Sequence, residues 1–280
     1  MQNLAIIKQR LKEDGYVVIN NIVDEDTHKA FIQDIKNYIS STPRVEGKEI
    51  VIDDIELPLT REQVKNLKDR WFLHATFGAP CEFNAFQINT ANKIREDPRL
   101  YELYKDLLNC DELLYYQDRV CIKLPGQGET EFIHIDADPH YRKPDNEAPL
   151  QSIMFFQDTK FYCIPKSHTQ EFHNQITENY SYIDKKKKAR NMTMIDKKRD
   201  YMNLEEKIEA IDIPKDSWLI FTENLWHASK PNKSNHIRLG LYFGYHRYDQ
   251  CPNTIEERIM SYTTGRRPPK FPSGVKTYLV

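Results

Sequence analysis

The sequence lacks any apolar run approaching the ~20 residues that a membrane-spanning helix needs. It also lacks charge imbalance. Forty Lys and Arg against 42 Asp and Glu leave a formal net charge of -2, which gives no global attraction to nucleic acid or to a membrane surface. Cysteine pairing is missing too: Cys81, Cys110, Cys121, Cys163 and Cys251 are scattered, with no C-x-x-C pair. The opening Met1 to Lys8 is too short and too polar for a secretion signal. An odd cysteine count without a signal implies reduced thiols and a cytoplasmic setting. In that setting the Asn-x-Ser/Thr triplets at Asn179, Asn191 and Asn232 read as chance matches. No internal repeat is visible.

What is present suits one large domain over 1–280, long enough to bury a sizeable core. Residues 4–12 have helical apolar spacing, broken at Glu13-Asp14-Gly15, and Tyr16 to Ile19 reads as a short buried strand. Asp24 is placed to cap a helix over about 26–39, with Phe31, Ile35 and Tyr38 on one face. Phe83 to Asn89 reads as a strand, and Asp97 caps a helix carrying Leu100, Leu103, Tyr104 and Leu107. After Asp111 the texture turns to β. Strands are expected over 113–124, 130–136, 150–157, 160–164, 209–213, 217–222 and 237–245. Short strands between turn signals suggest a sandwich or jelly roll, an α+β chain with a mainly β core. Residues 170–208 are polar and lysine-rich and read as an insertion. A tail from about 249 holds a short helix near 254–262 and an extended Pro- and Arg-bearing end.

The chemistry concentrates at Glu131-Phe132-Ile133-His134-Ile135-Asp136. On a strand, Phe132, His134 and Asp136 share one face. A histidine and a carboxylate two residues apart on an inward face converge on one ion. The best third donor is His227, which follows the strand Ser217 to Phe221. Two histidines and one carboxylate form the facial triad of non-haem iron(II) oxygenases, leaving positions for a bidentate 2-oxo acid and O2. His227 and Arg238 lie symmetrically about Pro231-Asn232-Lys233-Ser234. If those flanks pair as a hairpin, Arg238 stands beside the metal and forks onto the distal carboxylate of 2-oxoglutarate. Ser229 shares the strand face of His227 and adds a hydroxyl.

Each signal alone is weak. His-x-Asp recurs by chance, a single histidine is most often a satisfied core or surface group, and a single arginine is most often a surface charge. His140 and His168 read as supporting or surface groups, His236 as a hairpin surface group, and His74 and His173 have no partner in the sequence. Trp226 reads as core. A Ser-His-Asp hydrolase built on Ser167-His168 lacks a nucleophile elbow. A metal-dependent hydrolase using the same three ligands has no need of Arg238. A catalytically silent β-helix binding or structural protein is expected to have lost ligands, and none is missing. The order of the motifs, HxD then a long gap then His, Ser and Arg, carries the reading.

At these residues the chain resembles the phytanoyl-CoA dioxygenase (PhyH) family of Fe(II)/2-oxoglutarate oxygenases. The matching segments are Leu11 to Ile19, Ile122-Lys123-Leu124-Pro125-Gly126, Ile164-Pro165-Lys166-Ser167-His168, and Leu225 to Ser229 continuing through Asn232, Ser234 and Arg238. The resemblance implies a double-stranded β-helix (jelly roll, cupin-like) with N-terminal helices packed on one sheet. It implies His134, Asp136 and His227 as iron ligands, and Arg238, Ser229 and Lys123 for the co-substrate. Lys166 stands where the family usually has Gly, so that turn must avoid φ > 0 or tolerate strain. Asp158-Thr159-Lys160 is shorter than its counterpart and lacks the usual Asn-Gly. Both departures border the substrate side. Related halogenases replace the carboxylate with a small residue, so Asp136 favours hydroxylation. The expected substrate is a small molecule. The basic run Lys185-Lys186-Lys187-Lys188 also suits an anionic substrate or a nucleic acid, if the insertion is a lid.

Overall fold

The computed structural model describes residues 3–41, 88–123, 133–136, 148–180, 193–195, 200–228, 230–234, 238–250 and 277–278. Capping explains where its first helices begin and end. Helix α1 (Leu4–Asp14) starts at Asn3, whose side chain accepts from the Ala5 amide, and stops at Gly15 in the left-handed conformation (φ 83°). Helix α2 (Glu25–Ser41) opens where Asp24 Oδ1 accepts from the Thr27 amide at 2.7 Å, the cap expected from the sequence. Helix α3 (Asn89–Arg95) begins at Asn89, where the sequence pattern suggests the end of a strand. Helix α4 (Pro98–Leu108) has the expected Asp97 cap and a proline in its first turn, and it buries Leu100, Leu103, Tyr104 and Leu108. Helix α5 (Gln170–Asn179), capped by Thr169, lies inside the stretch read as a polar insertion.

The strands are β1 (Tyr16–Ile19), β2 (Leu113–Lys123), β3 (Ile133–Ile135), β4 (Leu150–Phe155), β5 (Thr159–Cys163), β6 (Thr193–Met194), β7 (Glu209–Ile213), β8 (Ser217–Thr222), β9 (His227–Ala228), β10 (Arg238–Arg247) and β11 (Thr277–Tyr278). They form a six-stranded sheet, ordered β1-β8-β4-β10-β2-β11, and a five-stranded sheet, ordered β6-β3-β9-β5-β7. All the pairings are antiparallel. This is the architecture of the double-stranded β-helix, left open at its edges.

Strand alternation sorts the core into layers. On β8, Trp218 and Ile220 join the cluster packed against the N-terminal helices, with Ile7, Phe31, Ile35 and Tyr104. Leu219 and Phe221 face the other way. There they meet Ile153 and Phe155 of β4, Phe161 and Cys163 of β5, and Ile213 of β7, which fill the space between the sheets. Every residue of β4 and β8 is buried, as expected of strands covered on both faces. The N-terminal helices therefore back the large sheet, and its inner face is left for the site.

One expectation fails here. His227 and Arg238 do not face one another across a hairpin. Strand β9 belongs to the small sheet, between β3 and β5, whereas β10 belongs to the large sheet, between β4 and β2. Asn232 Oδ1 accepts from both the amide and the hydroxyl of Ser234, at 3.2 and 2.7 Å. The chain thus turns locally at Asn232 and Ser234 between β9 in one sheet and β10 in the other. Arg238 pairs in register with Lys123 instead.

The lysine run 185–188, the tail helix near 254–262, the extended segment 265–274 and the strand expected over 83–87 lie outside the described residues. Among the described residues no helix is long and apolar enough to cross a membrane.

Candidate metal centre

His134 sits in the middle of β3 and His227 opens β9, and the two are direct partners in the antiparallel register. Partners of this kind project their side chains to the same face, and the two imidazoles lie 4.1 Å apart between ring centroids. Asp136 follows the last residue of β3. His134 Nε2 is 3.9 Å from Asp136 Oδ1, and His227 Nε2 is 3.7 Å from Asp136 Oδ2. One ligand atom from each of the three residues lies within 4.8 Å of the other two. Both histidines are buried, while Asp136 keeps an open side at 28% exposure. His227 Nδ1 donates to the Leu225 carbonyl at 3.0 Å, which leaves the Nε2 lone pair on the side of Asp136. The rings of Phe221 and Phe161 pack beside His227, at 5.1 and 6.0 Å. Gln151, which the sequence did not single out, reaches from β4 and donates through Nε2 to Asp136 Oδ2 at 2.9 Å.

The turn Ile164 to His168 fixes the approach to His227. The Ile164 amide donates to the Trp226 carbonyl at 2.9 Å, and the Ser167 hydroxyl accepts from the Trp226 amide at 2.9 Å. Both backbone groups of the residue before His227 are thereby held. Lys166 takes φ 66°, so the turn tolerates the strain that a non-glycine residue brings. Its amide bonds the Asp14 carbonyl at 3.1 Å. His168 is buried under the end of α1, with Nε2 3.1 Å from the Lys12 carbonyl. A Cβ on Gly15 would stand 2.6 Å from His168 Nδ1, so glycine is required there by space as well as by φ. His173 is likewise structural, with Nε2 2.9 Å from the Asn224 carbonyl, and Trp226 is fully buried core. Ser167 therefore works as a backbone clamp, which removes the hydrolase reading of Ser167-His168.

Cys163 lies opposite His227 in the register. Burial first, then the negative charges of Glu209 and Asp14, push its thiol far above the ordinary range. It stays protonated and offers no competing thiolate.

Arg238 opens β10 on the phase that faces the small sheet. Its Nη1 donates to the Lys230 carbonyl at 3.3 Å, and its buried Nε has no hydrogen-bond partner among the described residues. It borders a cavity of about 590 Å³ lined also by Gln157, Thr159, Tyr162, Asn232 and Ser234, and by no member of the His-Asp-His cluster. Ser229, and the side chain of Lys123, lie outside what is described.

The donor set fits a divalent first-row ion such as iron(II). Two neutral imidazoles and one carboxylate on a single face leave the opposite positions open. A buried guanidinium N–H without an acceptor fits an anionic co-substrate, since leaving it unmatched costs ~1–3 kcal/mol or more.

A family model described as phytanoyl-CoA dioxygenase (PhyH) matches residues 11–240. Several solved structures share the fold. EctD from S. alaskensis, solved with 2-oxoglutarate and 5-hydroxyectoine, is 17% identical with a TM-score of 0.53, over 88% of this chain and 76% of that one. AviO1 from Streptomyces viridochromogenes is 11% identical with a TM-score of 0.54, over 91% and 99%. The epimerase SnoN, solved with Fe3+, alpha ketoglutarate and nogalamycin RO, is 12% identical with a TM-score of 0.54, over 99% and 95%. At such identities the likeness carries the fold alone. No curated protein matches the sequence.

Proposed function

The chain belongs to the phytanoyl-CoA dioxygenase family, and on that premise we propose that it is an Fe(II)- and 2-oxoglutarate-dependent hydroxylase of a small-molecule C–H bond. In the balanced reaction, substrate C–H, 2-oxoglutarate and O2 give substrate C–OH, succinate and CO2. The observation that carries the reading is the convergence of His134, Asp136 and His227 on two neighbouring short strands, with Asp136 3.7–3.9 Å from both imidazoles.

His134 and His227 hold the metal through Nε2, and Asp136 holds it through its carboxylate. Iron(II) held there would supply coordination for 2-oxoglutarate and O2 and the oxidising power for an unactivated C–H bond. Arg238 receives the distal carboxylate of 2-oxoglutarate, and Ser229 and Lys123 remain the further co-substrate candidates that the family resemblance implies. The aromatic wall of Phe161 and Phe221 keeps water from the buried side of His227. No side chain is needed as acid or base for hydrogen abstraction. The retained Asp136 favours hydroxylation, since a halide has no vacated ligand position to fill.

The reading is tested by a substrate screen that follows succinate formation together with product mass. In that assay Arg238→Ala raises the KM for 2-oxoglutarate about 10- to 100-fold, the cost of a lost charge-assisted pair. Arg238→Lys recovers part of it. An unchanged KM in the alanine variant would assign the carboxylate to another cation. The run Lys185–Lys188 steers anionic substrates in this reading. Its neutralisation then raises substrate KM at low ionic strength only, and a variant identical to wild type at low salt reduces the run to a solvated loop.

A further inference from the structure

His227 opens a strand only two residues long, so the chain that leads into it matters for the aim of its ring. An imidazole turns about its last torsion in a broad, two-fold well. Its two nitrogens also share one proton when neutral, and a proton on Nε2 would keep a metal from that atom. One contact acts on both freedoms, from Nδ1 to the Leu225 carbonyl at 3.0 Å. That carbonyl belongs to the same planar peptide unit as the Trp226 amide. The Trp226 N–H donates to the Ser167 hydroxyl at 2.9 Å. One rigid plate thus carries the acceptor of the His227 ring at one edge and the contact with Ser167 at the other.

Building on the iron reading above, we propose that Ser167 is a positioning residue for His227. It pins the Leu225–Trp226 peptide, so that the carbonyl holds Nδ1–H and Nε2 stays free of a proton on the side of Asp136. The hydroxyl is offered from a firm support. Ser167 is fully buried, its amide donates to the Ile164 carbonyl at 3.2 Å, and the Lys166 amide ties the same turn to the Asp14 carbonyl at the end of α1. The peptide units on either side of the plate are tied as well. The Leu225 amide donates to the Thr222 carbonyl at 3.0 Å, and the Trp226 carbonyl accepts from the Ile164 amide at 2.9 Å. Electronic coupling acts in the same direction. An amide N–H that donates makes the carbonyl of its own unit a stronger acceptor, so the Ser167 bond also strengthens the bond to Nδ1. Outer hydrogen bonds of metal-ligating histidines typically change metal affinity or activity by about 10–100-fold. Ser167 acts one bond further out, so the lower end of that range is expected.

The experiment is nitrogen-15 NMR of the full-length metal-free protein with labelled histidine, at about pH 8, where histidine is ordinarily neutral. It is paired with anaerobic calorimetry of Co(II) binding. His227→Gln and His134→Gln assign the ring signals of the two histidines. Wild type is expected to show His227 as a single Nδ1–H tautomer. Ser167→Ala removes the hydroxyl, and it is expected to show His227 as a mixture of two tautomers, with His134 unchanged and Co(II) bound about tenfold more weakly. Ser167→Cys, close in size but a weaker acceptor, falls between them. Thermal melting reports whether each variant is folded, and the cysteine variant carries the comparison if the alanine variant is not. A merely structural role would lower the melting temperature and disturb both histidines alike, or neither. Either result, or a Co(II) affinity equal to wild type in the alanine variant, overturns the role of Ser167. Should wild type bind no Co(II) while the tautomer contrast persists, the iron reading fails and the orienting role of Ser167 stands.

Discussion

The large and small sheets differ in how they spend their residues. Strands β2, β4, β8 and β10 are six to eleven residues long, and β4 and β8 are buried throughout. Their outward phase packs under the described N-terminal helices, with Trp218 stacked flat on Phe243 at 5.2 Å and Tyr104 tilted against it at 5.5 Å. The small sheet contains β3 and β9, three and two residues long, yet these carry both histidines. Such short strands bury little apolar surface, and on their own they gain too little to be stable. They are held by neighbours: the Ile164–His168 turn, β5, and the cross-sheet bond from Gln151. One sheet is scaffold, and the other carries the His-Asp-His cluster on short strands held by it. Changes in the two should therefore separate stability from activity.

The largest separation is expected at the ligands. His134→Ala, Asp136→Ala and His227→Ala should each abolish turnover and cripple iron binding while the melting temperature of the metal-free protein stays close to wild type. Full activity in any of the three would remove that residue from the triad. The reverse separation is expected at Trp218. Trp218→Ala should cost about 3–5 kcal/mol of stability by denaturant unfolding. The surviving folded fraction should bind iron as wild type does. A loss of metal affinity that exceeds the loss of folded protein would break the division between the sheets.

A smaller effect is expected at the rim of the small sheet. Asp200 accepts from the amides of Leu204 and Glu205, at 2.8 and 3.0 Å, and from the Tyr180 hydroxyl at 2.8 Å. Burial pushes its carboxyl up, but these hydrogen bonds together outweigh burial and hold it below the ordinary Asp range. A depressed folded value means that the carboxylate stabilises the fold above its unfolded pKa, ~3.9. That contribution is lost as pH falls through the folded value. Asp200→Asn should thus cost about 1 kcal/mol at neutral pH, and the gap to wild type should close on acidification below about pH 4. A gap that is constant with pH would assign the effect to packing.

The same contrast explains what the sequence disclosed. The large-sheet strands are long, apolar and bounded by turns, so β4, β8 and β10 are legible almost to the residue. The His-Asp-His cluster is legible because His134 and Asp136 sit in a recognisable spacing and His227 follows a strong strand. The hairpin expected between His227 and Arg238 failed because turn residues reveal that the chain reverses, and not which sheet receives it. Helix α5 escaped notice because His173 and Ile176 are the only residues it buries, too narrow a stripe to read in a polar stretch. Helix α3 has only seven residues and no side-chain cap. Gln151 was hidden in an otherwise ordinary strand. The signal that finds it is phase: once β4 is aligned on Ile153 and Phe155, Gln151 becomes the inward polar residue nearest the metal end.

The central claim is that the His-Asp-His cluster and Arg238 jointly hold iron(II) and 2-oxoglutarate. Anaerobic titration of the metal-free protein with Fe(II), and then with 2-oxoglutarate, tests it most directly, with calorimetry and visible absorption read together. One Fe(II) per chain should bind. 2-Oxoglutarate should bind tightly only afterwards, with a new metal-to-ligand absorption band that is absent in His227→Ala and that needs about 10- to 100-fold more 2-oxoglutarate in Arg238→Ala. Failure of the wild-type protein to bind Fe(II) stoichiometrically, or an undiminished band in His227→Ala, would contradict the account.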